Sequence, residues 1–189
     1  MEISNSEREE GRSSLIYRYI TGQFPHNYIP TTLNPCDVNV DVAGRAVKLT
    51  IVDGHDDGEP HLMRTQQYRT ADVVAICFGL DHERSLWHIE SRIIEEVREL
   101  GRRDLPIIVV GCKTDIRGEV QRKLTDGNIG KTIVQSADIT YALQRIGAAL
   151  YVECSSLDNA GVDEVFQHAA RLALYPPQVP PNKRECVVC

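Results

Sequence analysis

Four side chains able to ligate a divalent metal, His55, Asp56, Asp57 and His61, fall in one short stretch of the chain. Imidazole nitrogens and carboxylate oxygens suit that chemistry. Their spacing nevertheless matches no specific metal motif, and a solvated polar loop accounts for the same cluster. His26, His82, His88 and His168 have no partner at metal-ligand or catalytic spacing. The six cysteines, at 36, 77, 112, 154, 186 and 189, lie mostly in apolar segments. They lack the close pairing of a zinc ribbon or a disulfide scaffold, so reduced thiols are expected. A metal-dependent or thiol enzyme built on His55 or Cys112 is the weakest functional reading.

The elements that must carry any site read as an α/β domain with a mostly parallel sheet, because buried apolar runs alternate with longer helix-period stretches. Strands are expected at 36–42, 46–53, 72–79, 105–111 and 149–154, and helices at 12–21, 82–100, 136–147 and 161–174. The first two strands flank Ala43-Gly44-Arg45, a short turn that predicts an antiparallel hairpin at one sheet edge. In 82–100, Leu86, Ile89, Ile93, Ile94, Val97 and Leu100 recur at helical spacing, and Gly101 stops the run.

At 189 residues and 42% apolar content the chain can bury one sizeable core. One domain over 1–175 and a tail over 176–189 are expected, the tail opening on the extended, proline-rich PPQVPPNKRE. A net charge of −6 leaves no basic footprint for nucleic acid, and none is expected as a partner. No apolar run approaches the ~18 residues of a spanning helix, and MEISNSEREE is too acidic for a signal peptide. Membrane contact therefore falls to the C-terminus.

Five segments, QFPHNYIPT (23–31), VDGHDD (52–57), VVGCKTDIR (109–117), YVECSS (151–156) and the terminal CVVC, occur in the order and spacing of one known family. Across about 12–189 the chain resembles the Rho family of small GTPases. The QFPHNYIPT segment and the ALYPP junction at 173–177 bring it nearest the Rac and Cdc subgroups. The resemblance implies a P-loop small G-protein fold, with helices on both faces of a mostly parallel sheet. That fold places a buried central strand before the phosphate loop, yet only Met1–Asn5 precedes Ser6. The first strand is therefore expected to be missing or truncated. Either the sheet closes differently or this N-terminus is an alternative or truncated start.

The family's phosphate loop, G-x-x-x-x-G-K-[ST], falls on Ser6 to Ser13. The resemblance makes Gly11, Arg12 and Ser13 nucleotide-binding residues, with the first glycine replaced by serine and the lysine by arginine. Glu7, Glu9 and Glu10 add negative charge beside a triphosphate. One such pair at ~5 Å and an effective dielectric near 20 costs roughly 3 kcal/mol, about two decades of affinity. An acidic segment that merely contains Gly-Arg-Ser explains these residues equally well.

Taken alone, Phe24, Tyr28 and Ile29 read as surface-loop anchors. In the family reading Phe24 packs near the base, Tyr28 closes over the phosphates and Thr31 binds magnesium and the γ-phosphate. Magnesium would then be held by Ser13 and Thr31, and by Asp53 through a bound water. The family's D-T-A-G-Q becomes Asp53-Gly54-His55-Asp56-Asp57. Asp57 occupies the catalytic position of the glutamine that orients the attacking water, and a carboxylate lacks an amide's donor. Hydrolysis is expected to be impaired or absent.

At the guanine end, Cys112-Lys113-Thr114-Asp115 resembles [NT]-K-x-D and Glu153-Cys154-Ser155-Ser156-Leu157 resembles E-C-S-A-K/L. There Asp115 would accept two bonds from the base edge and the Lys113 stem would lie along the ring. Cys112 would replace a polar brace, and Ser155 and Ser156 would complete the loop. CVVC fits the C-a-a-X pattern, with Cys186 as prenyl acceptor. Only Lys183 and Arg184 support it with positive charge, so reversible residence on the cytoplasmic face of membranes is expected, with a cytosolic pool.

The expected cofactors are GTP or GDP with Mg2+. The expected partners are effectors contacting 23–32, exchange factors, prenyl-binding chaperones, and the membrane through lipidated Cys186. Three functions compete: a Rho-like switch with impaired hydrolysis, a cycling GTPase, and a nucleotide-free module that sequesters Rho regulators.

Overall fold

The computed structural model describes residues 2–5, 11–26, 33–54, 61–102, 104–118 and 133–177. In chain order the strands are β1 (Glu2–Asn5), β2 (Cys36–Val42), β3 (Arg45–Asp53), β4 (Val74–Gly79), β5 (Ile107–Cys112) and β6 (Leu150–Glu153). The helices are α1 (Arg12–Thr21), α2 (His61–Thr70), α3 (Glu83–His88), α4 (Ile94–Leu100), α5 (Ser136–Ile146) and α6 (Val162–Leu174). Between α3 and α4, Ile89–Ile93 wind as a wider π turn, so the helix expected over 82–100 is not uniform.

The six strands form one sheet in the order β2-β3-β1-β4-β5-β6. Only β2 and β3 are antiparallel, joined by the expected edge hairpin. Its turn takes positive φ at Ala43 (55°) and Gly44 (80°), as a tight two-residue hairpin requires. The Asp41 carboxylate accepts the Gly44 N–H at 2.9 Å.

Of the two expectations for the first strand, missing or truncated, the first is corrected: β1 is present and central, though only four residues long. It pairs in parallel with β3 through Glu2↔Val52 and Ile3↔Asp53, and with β4 from Glu2↔Val74 to Asn5↔Cys77. Backbone pairing needs no apolar side chains, so four residues suffice to bridge strands that would otherwise carry unpaired polar groups.

Strands β4 and β5 are buried on both faces, as a parallel sheet covered by helices requires. Along β4, Val74, Ile76 and Phe78 enter one core with Tyr68, Ile89, Ile93 and Ile139, whereas Ala75 and Cys77 enter the other. That second core takes Leu15 and Ile16 of α1 and Phe166 of α6. Tyr19 stacks on Phe166 with ring centroids 3.8 Å apart, locking α1 to α6. No helix among the described residues is long and apolar enough to cross a membrane.

The parallel strands β1, β3, β4, β5 and β6 direct their carboxyl ends to one edge of the sheet. A ligand of an open α/β sheet binds at that edge.

Candidate functional site

Two groups of side chains meet at the carboxyl edge. The first is set by the start of α1 and the end of β3. Gly11 precedes α1 with φ 89°, a left-handed conformation that glycine adopts without strain. A Cβ there would also stand 3.4 Å from Cys112 Cβ, so the turn is folded closely over β5. The Leu15 N–H donates to the Gly11 carbonyl at 2.8 Å and starts the helix.

The next residue, Arg12, points inward. Its side chain is 6% exposed and that of Asp53 1%, and Arg12 Nε lies 2.5 Å from Asp53 Oδ1. This is an ion contact rather than an aligned hydrogen bond, because the donor geometry is not met between these two atoms. The other carboxylate oxygen, Oδ2, accepts the Ser13 hydroxyl at 3.1 Å and the Leu33 N–H at 3.2 Å. Buried charge is tolerated only when paired, and Asp53 meets that condition entirely within the chain.

These residues test the fit of magnesium. Ser13 donates its proton to Asp53 and so keeps oxygen lone pairs for a cation, which fits. Arg12 does not fit: it sets a permanent positive charge against the carboxylate that would help to hold a cation. As arranged, the described residues do not fit a divalent ion at Asp53. No group of three or more His, Cys, Asp or Glu among the described residues could hold a metal either. Thr31 and the cluster at His55, Asp56 and Asp57 lie outside the described residues.

The second group is set by β5 and β6. Cys112 ends β5, and Lys113 turns the chain with φ 65°, uncommon for a residue with a side chain. Asp115 Oδ1 accepts the Ser155 hydroxyl at 2.5 Å, and Ser155 Oγ accepts the Asp158 N–H at 3.1 Å. The backbone joins the same loops: Thr114 N–H donates to the Cys154 carbonyl at 3.2 Å. Ser155 and Ser156 are buried, whereas Lys113 and Asp115 are partly open to solvent.

Lys113 Nζ is oriented by Asp81, whose carboxylate oxygens lie at 3.1 and 3.2 Å. Asp81 is not among the residues expected at the site, although it follows the apolar run that forms β4. Its place just beyond a strand's carboxyl end was the available signal. Glu153 is held by Arg117 at 2.6 Å and by the Tyr151 hydroxyl at 2.8 Å.

Cys112 occupies the position of the expected polar brace, and sulfur packing does the bracing. Cys154 Sγ contacts Cys112 Sγ at 3.9 Å, with both residues buried. The bond to Cys112, reinforced by burial, pushes the Cys154 thiol far above its ordinary range. A thiol held neutral and out of solvent is a structural group, not a nucleophile.

The two groups touch where Gly11 packs on Cys112 and Lys113. Phe24 is half-buried, with the His26 ring edge-on at 5.7 Å. Tyr28 and Cys186 lie outside the described residues. A parallel α/β sheet with a glycine turn entering α1 and a lysine–aspartate loop leaving β5 is consistent with the P-loop nucleotide-binding class.

Comparison with known proteins narrows that class. The Ras family model matches residues 6–175. GTP-binding protein RHO1 of Candida albicans is 33% identical over 178 residues, 94% of this chain and 89% of the relative. GTP-binding protein rho5 of Schizosaccharomyces pombe is 34% identical over 93% of this chain and 88% of its own length. GTP-binding protein RHO1 of Saccharomyces cerevisiae is 35% identical over 87% and 78%, respectively. The chain belongs to the Ras family, as a small GTPase relative of the Rho proteins.

Proposed function

We propose that the chain is a Rho-related signalling protein that binds guanine nucleotide and has lost most or all GTP hydrolysis. One observation carries the reading: Lys113, Asp115, Ser155 and Ser156 come together at the carboxyl ends of β5 and β6, with Asp115 oriented by Ser155. An oriented carboxylate beside a lysine stem suits the donor edge and flat face of guanine, and the relatives are GTP-binding proteins by name. The family match from residue 6 supports reading Gly11-Arg12-Ser13 as the end of a phosphate loop.

The impairment follows from the residue types at positions 56 and 57. Asp57 stands where a glutamine would orient water, and Asp56 adds a second negative charge near the γ-phosphate. In this reading residues 1–175 form the signalling domain, and residues 23–32 present an effector surface of Rac or Cdc character, serving cytoskeleton, polarity or membrane-traffic signalling. Residues 176–189 tether the domain to the cytoplasmic face of a membrane through lipidated Cys186. Exchange factors and prenyl-binding chaperones are the matching regulators.

A second reading, a nucleotide-free module that sequesters Rho regulators, draws on Arg12 and Asp53, which neutralise each other where phosphate and cation would sit. The test is to purify the chain without added nucleotide, denature it and identify what is released by chromatography. Stoichiometric GTP is expected. GDP would revive a cycling GTPase, and a folded sample that releases nothing and binds nothing on titration would select the module.

A further inference from the structure

We propose that Arg12 is a built-in substitute for the divalent cation, so that this chain binds guanine nucleotide without magnesium. The inference rests on the guanine-nucleotide reading and concerns how the phosphate end of that site is neutralised.

Three contacts converge on one buried carboxylate. Asp53 is the last residue of β3, and its Oδ1 faces the Arg12 guanidinium at 2.5 Å. Its Oδ2 accepts the Ser13 hydroxyl and the Leu33 N–H. A metal in this position would link the start of α1, the end of β3 and the segment entering β2. Here direct contacts make that link: Arg12 and Ser13 come from α1, Asp53 from β3, and Leu33 from the chain just before β2. One positive charge, set against the Asp53 carboxylate, is likewise supplied by the chain.

Arginine is suited to the task in a way lysine is not. A guanidinium remains charged at any ordinary pH and carries five N–H donors in a planar fork, so one edge can face a carboxylate while another faces phosphate. An ammonium is a compact charge that serves one centre at a time. The arginine at position 12 therefore changes the chemistry rather than conserving it. A hydrated divalent ion must first break the buried contact between Arg12 and Asp53.

The experiment is an equilibrium titration of the nucleotide-stripped full-length chain with a fluorescent GDP analogue, in excess magnesium chloride and in excess EDTA. The wild-type affinity is expected to change by less than about threefold between the two buffers. Arg12→Lys, checked for its fold by circular dichroism, is expected to bind at least about thirtyfold more tightly with magnesium than without it. Binding by the wild-type chain that collapses in EDTA overturns the inference and leaves the nucleotide reading standing. An Arg12→Lys chain that folds and stays indifferent to magnesium overturns the assignment to Arg12. Absence of binding in both buffers overturns the nucleotide reading and this inference with it.

Discussion

The two ends of the carboxyl-edge site are held by different forces. Around Asp115, neutral donors and buried sulfur do the positioning: the Ser155 hydroxyl, the Asp158 and Thr114 N–H groups, and the Cys112–Cys154 contact. Around Asp53, a buried ion pair does it. A carboxylate oriented by neutral groups keeps its charge for a ligand, whereas a carboxylate fixed by a guanidinium is already neutralised. Family resemblance alone would treat both ends as parts of one nucleotide site. Their electrostatics separate them.

The largest effect that would break this contrast is expected at Arg12. Arg12→Ala strands a buried carboxylate, and removing one member of a buried pair costs about 3–5 kcal/mol. Urea unfolding should show the loss as a lower midpoint with an unchanged slope. A change below about 1 kcal/mol, the scale of an exposed pair, would mean that the ion pair does not organise the phosphate end.

Asp115→Asn comes next. The amide keeps one oxygen to accept from Ser155 but loses the negative charge and one acceptor, so the fold should hold. Guanine-nucleotide affinity should fall roughly 100-fold, the equivalent of about 3 kcal/mol in charge-assisted bonds. Equal affinity in the mutant would remove Asp115 from the site.

Gly11→Ala joins the two regions. A side chain at φ 89° costs about 1–2 kcal/mol, and its Cβ would sit 3.4 Å from Cys112. A thermal melt should show that loss, and a neutral outcome would mean that the turn relaxes without disturbing β5.

The smallest effect sharpens the neutral character of the guanine end. The Cys154 thiol is raised first by its bond to Cys112 and then by burial, from an ordinary 9.0. A raised folded-state pKa contributes stability that is full below the unfolded value and declines as pH climbs past it. Stability should therefore fall above about pH 9, by at most about 1.4 kcal/mol per pH unit from this one group. Cys154→Ala should flatten that slope when urea midpoints are compared at neutral and alkaline pH.

Much of the frame was readable as apolar period. The β2–β3 hairpin, the buried runs of β4 and β5, and helices α1, α5 and α6 fell within a residue or two of their expected spans. Two elements were not readable. Helix α2 escaped because Leu62 and Met63 stay exposed and, among its described side chains, only Tyr68 is deeply buried, so its apolar face is weak. Strand β1 escaped because four residues, three of them polar, do not resemble a buried strand, and its place comes from pairing with β3 and β4. Within the site, Lys113, Asp115, Ser155 and Ser156 were recognisable because their spacing follows strands β5 and β6. The Asp81 partner of Lys113 was not, because 32 positions separate the pair and sequence pattern does not mark the contact.

By itself the sequence determined the α/β class, the alternation that buries β4 and β5 on both faces, and which residue types stand at each loop of the carboxyl edge. These follow from local period and turn chemistry, which act over a few residues. The tertiary structure alone decided that a four-residue β1 completes the sheet, that Cys112 is braced by Cys154, and that Arg12 turns inward to Asp53. Each depends on groups far apart in the chain, as Ser13 and Asp53 are at 40 positions. Burial then forces every polar group brought together to find a partner there, and that requirement set the character of the site.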